Sequence, residues 1–176
     1  MACSLTTGRK VPCKSAVGGI KTIYFTDYGT LGTPTIVAGE ITDFPQGTPD
    51  WFKFDVKGAS SLETAINSSR ENGTTFYEST LTMALTFQEK ATQEELKLIA
   101  HGRPHVAVED YNGNFFVVGL EHGAEVTGGT ISTGAAMGDL SGYNLTIVAQ
   151  ETAPPYFITS NIITDDTSAV QIDPTA

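Results

Sequence analysis

The sequence predicts a mainly β fold. It reads as a β-sandwich or barrel of about eight or nine strands, with one flanking α-helix and one very long β-hairpin. Three observations carry this. Apolar residues recur at period two in several short runs. Asn-Gly pairs separate two pairs of those runs, at Asn72-Gly73 and Asn112-Gly113. Only one stretch, near residue 96, has helical periodicity.

The hairpin, residues 60–87, is the element the chain is organised around. Its turn is Glu71-Asn72-Gly73, where Asn and Gly take positive φ cheaply. On the returning arm Tyr77, Leu81, Met83, Leu85 and Phe87 share one parity, with Ser79 the polar exception. Glu78, Thr80, Thr82, Ala84 and Thr86 take the other, the pattern of a half-buried strand. The outgoing arm alternates more weakly, Leu62, Thr64 and Ile66 opposing Glu63, Ala65, Asn67 and Ser69. Each arm reaches roughly 30–40 Å, well beyond a usual strand. A ribbon this long and hydrophilic is expected to be completed by other subunits. The inter-subunit segment is Ile66, Asn67, Ser68, Ser69, Arg70, Glu71, Asn72, Gly73, Thr74, Thr75 and Phe76.

Around it the chain divides into an N-terminal arm (1–20), a β domain (21–152) and a C-terminal arm (153–176). The arm at the start holds Arg9, Lys10 and Lys14 around Pro12. Strands are expected at 22–28, at 35–42 and after Trp51, with Phe52, Phe54 and Val56 facing the core. Tyr24, Tyr28, Trp51 and Tyr111 are the aromatics that an Ig-like carbohydrate-binding or adhesion module would use as a sugar platform. The helix spans 92–101, with Thr92 as N-cap, Glu95 completing a capping box, and Gly102 and Pro104 ending it. Leu96, Ile99 and Ala100 form its apolar face, flanked by Leu98. A second hairpin follows at 105–120, then strands near 124–133 and 143–150. Pro154-Pro155 ends the domain. The apolar Tyr156, Phe157, Ile158, Ile162 and Ile163 beyond it are expected to dock, on this subunit or on a neighbour.

With 176 residues and 40% apolar content, the chain can bury one real core. No apolar run is long enough for a membrane span, and no membrane anchor is expected. The opening residues lack a basic stretch followed by an apolar one, so they are not read as a signal peptide. Cys3 and Cys13 are expected to be free thiols. Net charge is −10, and all ten Lys and Arg lie at or before Arg103, while nine acidic residues follow Pro104. That asymmetry argues against gripping phosphate and suits a surface that repels it.

Catalytic chemistry is not apparent. His101, His105 and His122 have no H-E-x-x-H geometry, and no spacing asks for zinc with Glu109 or Glu121. No nucleophile elbow or phosphate loop occurs. Adjacent carboxylates such as Glu109-Asp110 point to opposite faces of a strand. No catalytic residue, metal or cofactor is expected.

Three runs carry a likeness to a known family: Phe76-Tyr77-Glu78-Ser79-Thr80-Leu81-Thr82, Glu94-Glu95-Leu96-Lys97-Leu98-Ile99-Ala100 and Gly142-Tyr143-Asn144-Leu145-Thr146-Ile147. With the overall layout, they resemble tail tube proteins of tailed bacteriophages. The opening, Met1-Ala2-Cys3-Ser4-Leu5-Thr6-Thr7-Gly8-Arg9-Lys10, is similar to structural proteins of phages infecting Bacteroides-type bacteria, the crAss-like group included. The resemblance implies a virion protein, assembled in the bacterial cytoplasm into rings of six-fold symmetry or a multiple. Such rings form a tail tube, tail barrel or connector through which DNA passes at genome ejection without specific binding. Partners would be copies of the chain and other tail or connector proteins. Glu63, Glu78, Thr80, Thr82, Glu121 and Glu125 become candidates for the channel wall, with Asp139 a further one.

Overall fold

The computed structural model describes residues 7–11, 13–45, 47, 49–56 and 58–164. Among these residues eleven strands form two open sheets, a β-sandwich as expected, and no barrel closes. In chain order they are β1 (Ile20–Thr26), β2 (Thr35–Val37), β3 (Glu40–Asp43), β4 (Phe52–Asp55), β5 (Ser61–Ser69), β6 (Thr74–Thr86), then helix α1 (Lys90–His101). There follow β7 (His105–Asp110), β8 (Phe115–Val118), β9 (Glu125–Ser132), β10 (Gly142–Glu151), β11 (Tyr156–Ile158) and a single-turn helix α2 (Ser160–Thr164). The larger sheet runs β2-β3-β11-β8-β7-β1-β4 and the smaller β5-β6-β10-β9.

The main core lies between the sheets. Ile23 and Phe25 of β1, Val106 and Val108 of β7, and Val118 of β8 meet Leu81, Met83, Leu85, Tyr143, Ile147 and Ala149 of the smaller sheet. Phe54 joins them, edge-on to Phe25 at 5.2 Å between ring centroids. The larger sheet is buried on its other face too. There Tyr24, Ala107 and Val117 pack under Leu31, Phe44, Trp51 and Ile163. Strands β1 and β7 are therefore apolar on both faces, like central strands of a covered sheet.

Several expectations need correction. The strand read at 35–42 is two strands, because Ala38 and Gly39 both have positive φ and make a tight turn. Phe52 points outward from an edge strand, 45% exposed, while the neighbouring Trp51 is buried in the second core. Phe87 leaves the sheet at φ 71°, exposed, and ends β6. The helix starts two residues early, so Thr92 is not its cap. Glu89 holds that position without a side-chain cap. The Tyr143 hydroxyl pins this end instead, donating to the Glu89 carbonyl at 3.1 Å and lying 3.3 Å from its N–H. Leu96 is buried and Ile99 packs beside it, but Leu98 and Ala100 face solvent. Gly102 ends the helix, its N–H bonding the Leu98 carbonyl at 3.0 Å.

The largest correction concerns 153–164, which is no arm. β11 sits inside the larger sheet, parallel to β3 and antiparallel to β8. Ile158 and Ile163 are buried in this subunit's own core, with Tyr156 and Ile162 packed beside them. Phe157 points away and meets Phe116, ring centroids 4.8 Å apart. Residues 165–176 of that segment, and Cys3, lie outside the described residues. Cys13 is exposed and free. The described residues at the start, 7–11 and 13–19, have no regular structure; Asn112 ties them down through both the N–H and C=O of Val17.

One buried histidine joins three connections. The Gly119 carbonyl can only accept, so His105 Nδ1 carries the proton and donates to it at 2.6 Å. Gly29 N–H donates to Nε2 at 3.0 Å. Tyr28 stacks on the imidazole and Arg103 lies 4.6 Å over the Tyr28 ring. A protonated ring has no lone pair for Gly29. Burial lowers the His105 pKa, against the Gly119 carbonyl and the nearby Glu151 carboxylate. The unfolded chain then binds this proton before the native one does. Stability is complete above the unfolded value of 6.5 and falls as pH drops below it towards the lower native value. Urea titrations between pH 8 and 5 should show that loss, and a smaller pH slope in His105→Gln. At pH 8 that variant should be about 1–2 kcal/mol less stable, from disturbed buried hydrogen bonds. Equal slopes would refute the assignment.

Candidate assembly surface

The expected long hairpin exists, in register from Ser61↔Thr82 to Ser69↔Thr74. Most of it belongs to its own subunit, however. Tyr77 to Thr86 of β6 pair with β10, and Leu81, Met83 and Leu85 lie in the core. Only the pairs from Asn67↔Phe76 outward and the turn Arg70–Gly73 extend past β10. That projection is roughly 10 Å. Hydroxyl pairs stiffen the polar ribbon: Thr64 with Ser79 at 2.9 Å and Ser68 with Thr75 at 3.1 Å. Gly73, at φ 62°, closes the turn, and the Asn72 N–H bonds Ser69 Oγ at 3.3 Å. Ile66 is 68% exposed and Phe76 38%, apolar groups left at the surface.

The two sheets treat their edges differently. The larger sheet ends on β2 and β4, of three and four residues, and β4 carries Lys53. Short, charged edges resist pairing with another chain. The smaller sheet ends on β5 and β9, of nine and eight residues, without Pro or Lys. Thr127, the extra residue of a bulge against β10, is the one irregularity of β9. All three pairings inside this sheet are antiparallel. With four alternating strands, a rotated copy would bring its β5 antiparallel to β9.

Five of the six channel-wall candidates share one surface. Glu63, Glu78, Thr80 and Thr82 occupy the parity opposite to Leu81 and Met83, and Glu125 joins them through its pairing with Val148. Asn144, Thr146 and Gln150 complete that face. Gln150 Nε2 donates to Glu78 Oε2 at 2.7 Å. No Lys or Arg occurs on any of the four strands, against the glutamates Glu63, Glu78, Glu125 and Glu151. The alternation of β6 made its part of this face legible in the sequence. The contribution of β10 was not, since its pairing to β6 is long-range.

Two candidates lie elsewhere. Asp139 folds back on its own loop and accepts the N–H groups of Ala135 and Ala136 at 2.9 and 2.8 Å. These bonds hold its carboxyl below the usual pKa. Glu121 sits in the β8–β9 connection beside Glu151, whose Oε1 accepts the N–H groups of Glu121 and His122. Nothing in the sequence spacing signals that approach.

Glu109 is nearly buried and held by Lys21 Nζ at 2.6 Å, with the Tyr24 hydroxyl at 3.4 Å. Burial and that carboxylate push the Tyr24 pKa up to about 12. Trp51 and Tyr24 are core residues, so the four-aromatic sugar platform does not form; only Tyr28 and Tyr111 are exposed. No helix among the described residues is long and apolar enough to cross a membrane.

Fold and surface together define a β-sandwich with one long-edged, acidic and cation-free sheet. Compared with protein families, curated proteins and solved structures, the chain matches none.

Proposed function

We propose that this chain is a virion structural protein that self-assembles into rings, forming a phage tail tube or tail barrel. One observation carries the reading: the smaller sheet has two long edges, free of Pro and Lys, whose directions suit antiparallel closure between copies. Head-to-tail pairing of β9 with the next copy's β5 would remove both edges, and closure would make one continuous barrel. Leu81, Met83 and Leu85 hold the other face against the core, so the Glu63, Glu78 and Glu125 face would line the passage.

Such a wall repels phosphate, and DNA would pass without specific contacts. The projecting tip, with Phe76, and Ile66 at its base would touch other copies or other tail or connector proteins. The protein would act in the virion tail after assembly in the bacterial cytoplasm. No catalysis is required of it.

Light scattering and negative-stain microscopy of the purified full chain at rising concentration test this. Closed rings with a central passage are expected. A strictly monomeric species at high concentration would overturn the proposal.

A further inference from the structure

We propose that Glu121, His122 and Glu151 form a binding site for a divalent transition-metal ion of the zinc type. The ligand atoms of the three side chains all lie within 4.8 Å of one another. Bonds of about 2.0–2.2 Å place neighbouring ligands roughly 3–3.5 Å apart, so small rotations of surface side chains close the set.

The chain already orients both carboxylates. Glu151 Oε1 accepts from the Glu121 N–H at 3.1 Å and the His122 N–H at 3.0 Å, leaving Oε2 for an ion. The Thr152 hydroxyl donates to Glu121 Oε2 at 3.3 Å, leaving Oε1. The Tyr28 hydroxyl holds the loop itself, donating to the Glu121 carbonyl at 3.0 Å.

A separate electrostatic observation points the same way. Among the described residues, Glu109 and Asp55 have lysine partners, but neither Glu121 nor Glu151 has a basic one. The four strands of the smaller sheet carry no Lys or Arg, and Arg103 lies over the Tyr28 ring. Among the described residues no ion pair neutralises either carboxylate, a charge that a bound cation would supply. The imidazole decides which cation. Calcium and magnesium favour all-oxygen sets, whereas an imidazole with carboxylates suits zinc, nickel or cobalt. Three protein ligands leave a position open for water or a further group.

The full chain, stripped with a chelator, is titrated with zinc chloride by calorimetry at pH 7.5, and its melting is followed in parallel. About one ion per chain should bind. The Tm should rise by about 5 °C or more at a hundredfold excess over Kd. His122→Ala and Glu151→Gln should each weaken binding at least about tenfold, from loss of one ligand. Their metal-free urea midpoints should match the parent, since the amide oxygen introduced by Glu151→Gln can still accept both N–H groups. Calcium and magnesium should give no Tm shift, and Cys13→Ser should bind zinc as the parent does. No zinc binding, full-strength binding in both variants, or loss of binding in Cys13→Ser would each overturn the site. None of these outcomes depends on ring formation.

Discussion

Replacing residues 66–77 with Asn-Gly is expected to leave a folded chain that no longer assembles. Ala65 and Glu78 are opposite each other in the hairpin, so two residues suffice to join them as a tight turn. What remains of β6 keeps its β10 partners and the core residues Leu81, Met83 and Leu85. The excised side chains are mostly exposed, with Tyr77 half-buried, so the stability cost should stay within about 1–2 kcal/mol. The edge fares worse, since β5 loses four of its nine residues, Ile66 to Ser69. Every interface of a ring uses that edge once. Association should weaken at least about a hundredfold per interface, close to 2.7 kcal/mol. Sedimentation velocity beside a urea melt reads both quantities. A truncated hairpin that assembles like the parent would show that the tip is not an assembly element.

What the sequence could reveal follows from where each feature gets its energy. Local chemistry was legible. Asn-Gly at 112–113 marks a turn in which Asp110 accepts the N–H groups of Asn112 and Asn114 at 2.9 and 2.8 Å. The alternation along β6 identified Leu81, Met83 and Leu85 as core because one face of that strand is wet. Features fixed by distant partners were not legible. Ala38 has no compositional mark of positive φ, so one apparent strand concealed two. Thr92 and Glu95 have the local pattern of a cap, but the helix starts at Lys90, where the Tyr143 hydroxyl bonds the Glu89 carbonyl.

The candidate surface divides along the same line. Parity alone put Glu63, Glu78, Thr80 and Thr82 on one face. That the whole sheet lacks cations, and that its two edges are the long ones, depends on which strands pair. The pairing of β10 with β6 joins residues 56 to 74 positions apart in the chain. Glu151 reaches His122 only because β10 ends where the β8–β9 connection turns, and no spacing rule contains that.

Ending the chain after Pro155 is expected to unfold it. Pro154-Pro155 looks like a domain end, but the strand after it is internal. Without β11, β3 loses its parallel neighbour and β8 one of its two antiparallel ones, and the sheet is cut between them. Ile158 and Ile163 each contribute roughly 1.5–3 kcal/mol of apolar burial, and Ile41 and Val117 lose cover at the same time. The unpaired backbone groups of two opened strands add to the loss. Together these reach about 5 kcal/mol or more, the lower end of a domain's whole stability. Point variants separate packing from length. Ile158→Asp sets a charge where the side chain is 4% exposed and should destabilise by about 4 kcal/mol or more. Phe157→Asp, next in the chain but on the 49% exposed side, should lose about 1 kcal/mol, mainly its contact with Phe116. Circular dichroism melts of the three variants would show it. A chain cut after Pro155 that melts like the parent would return this segment to the status of an arm, free to seek its partner in another copy.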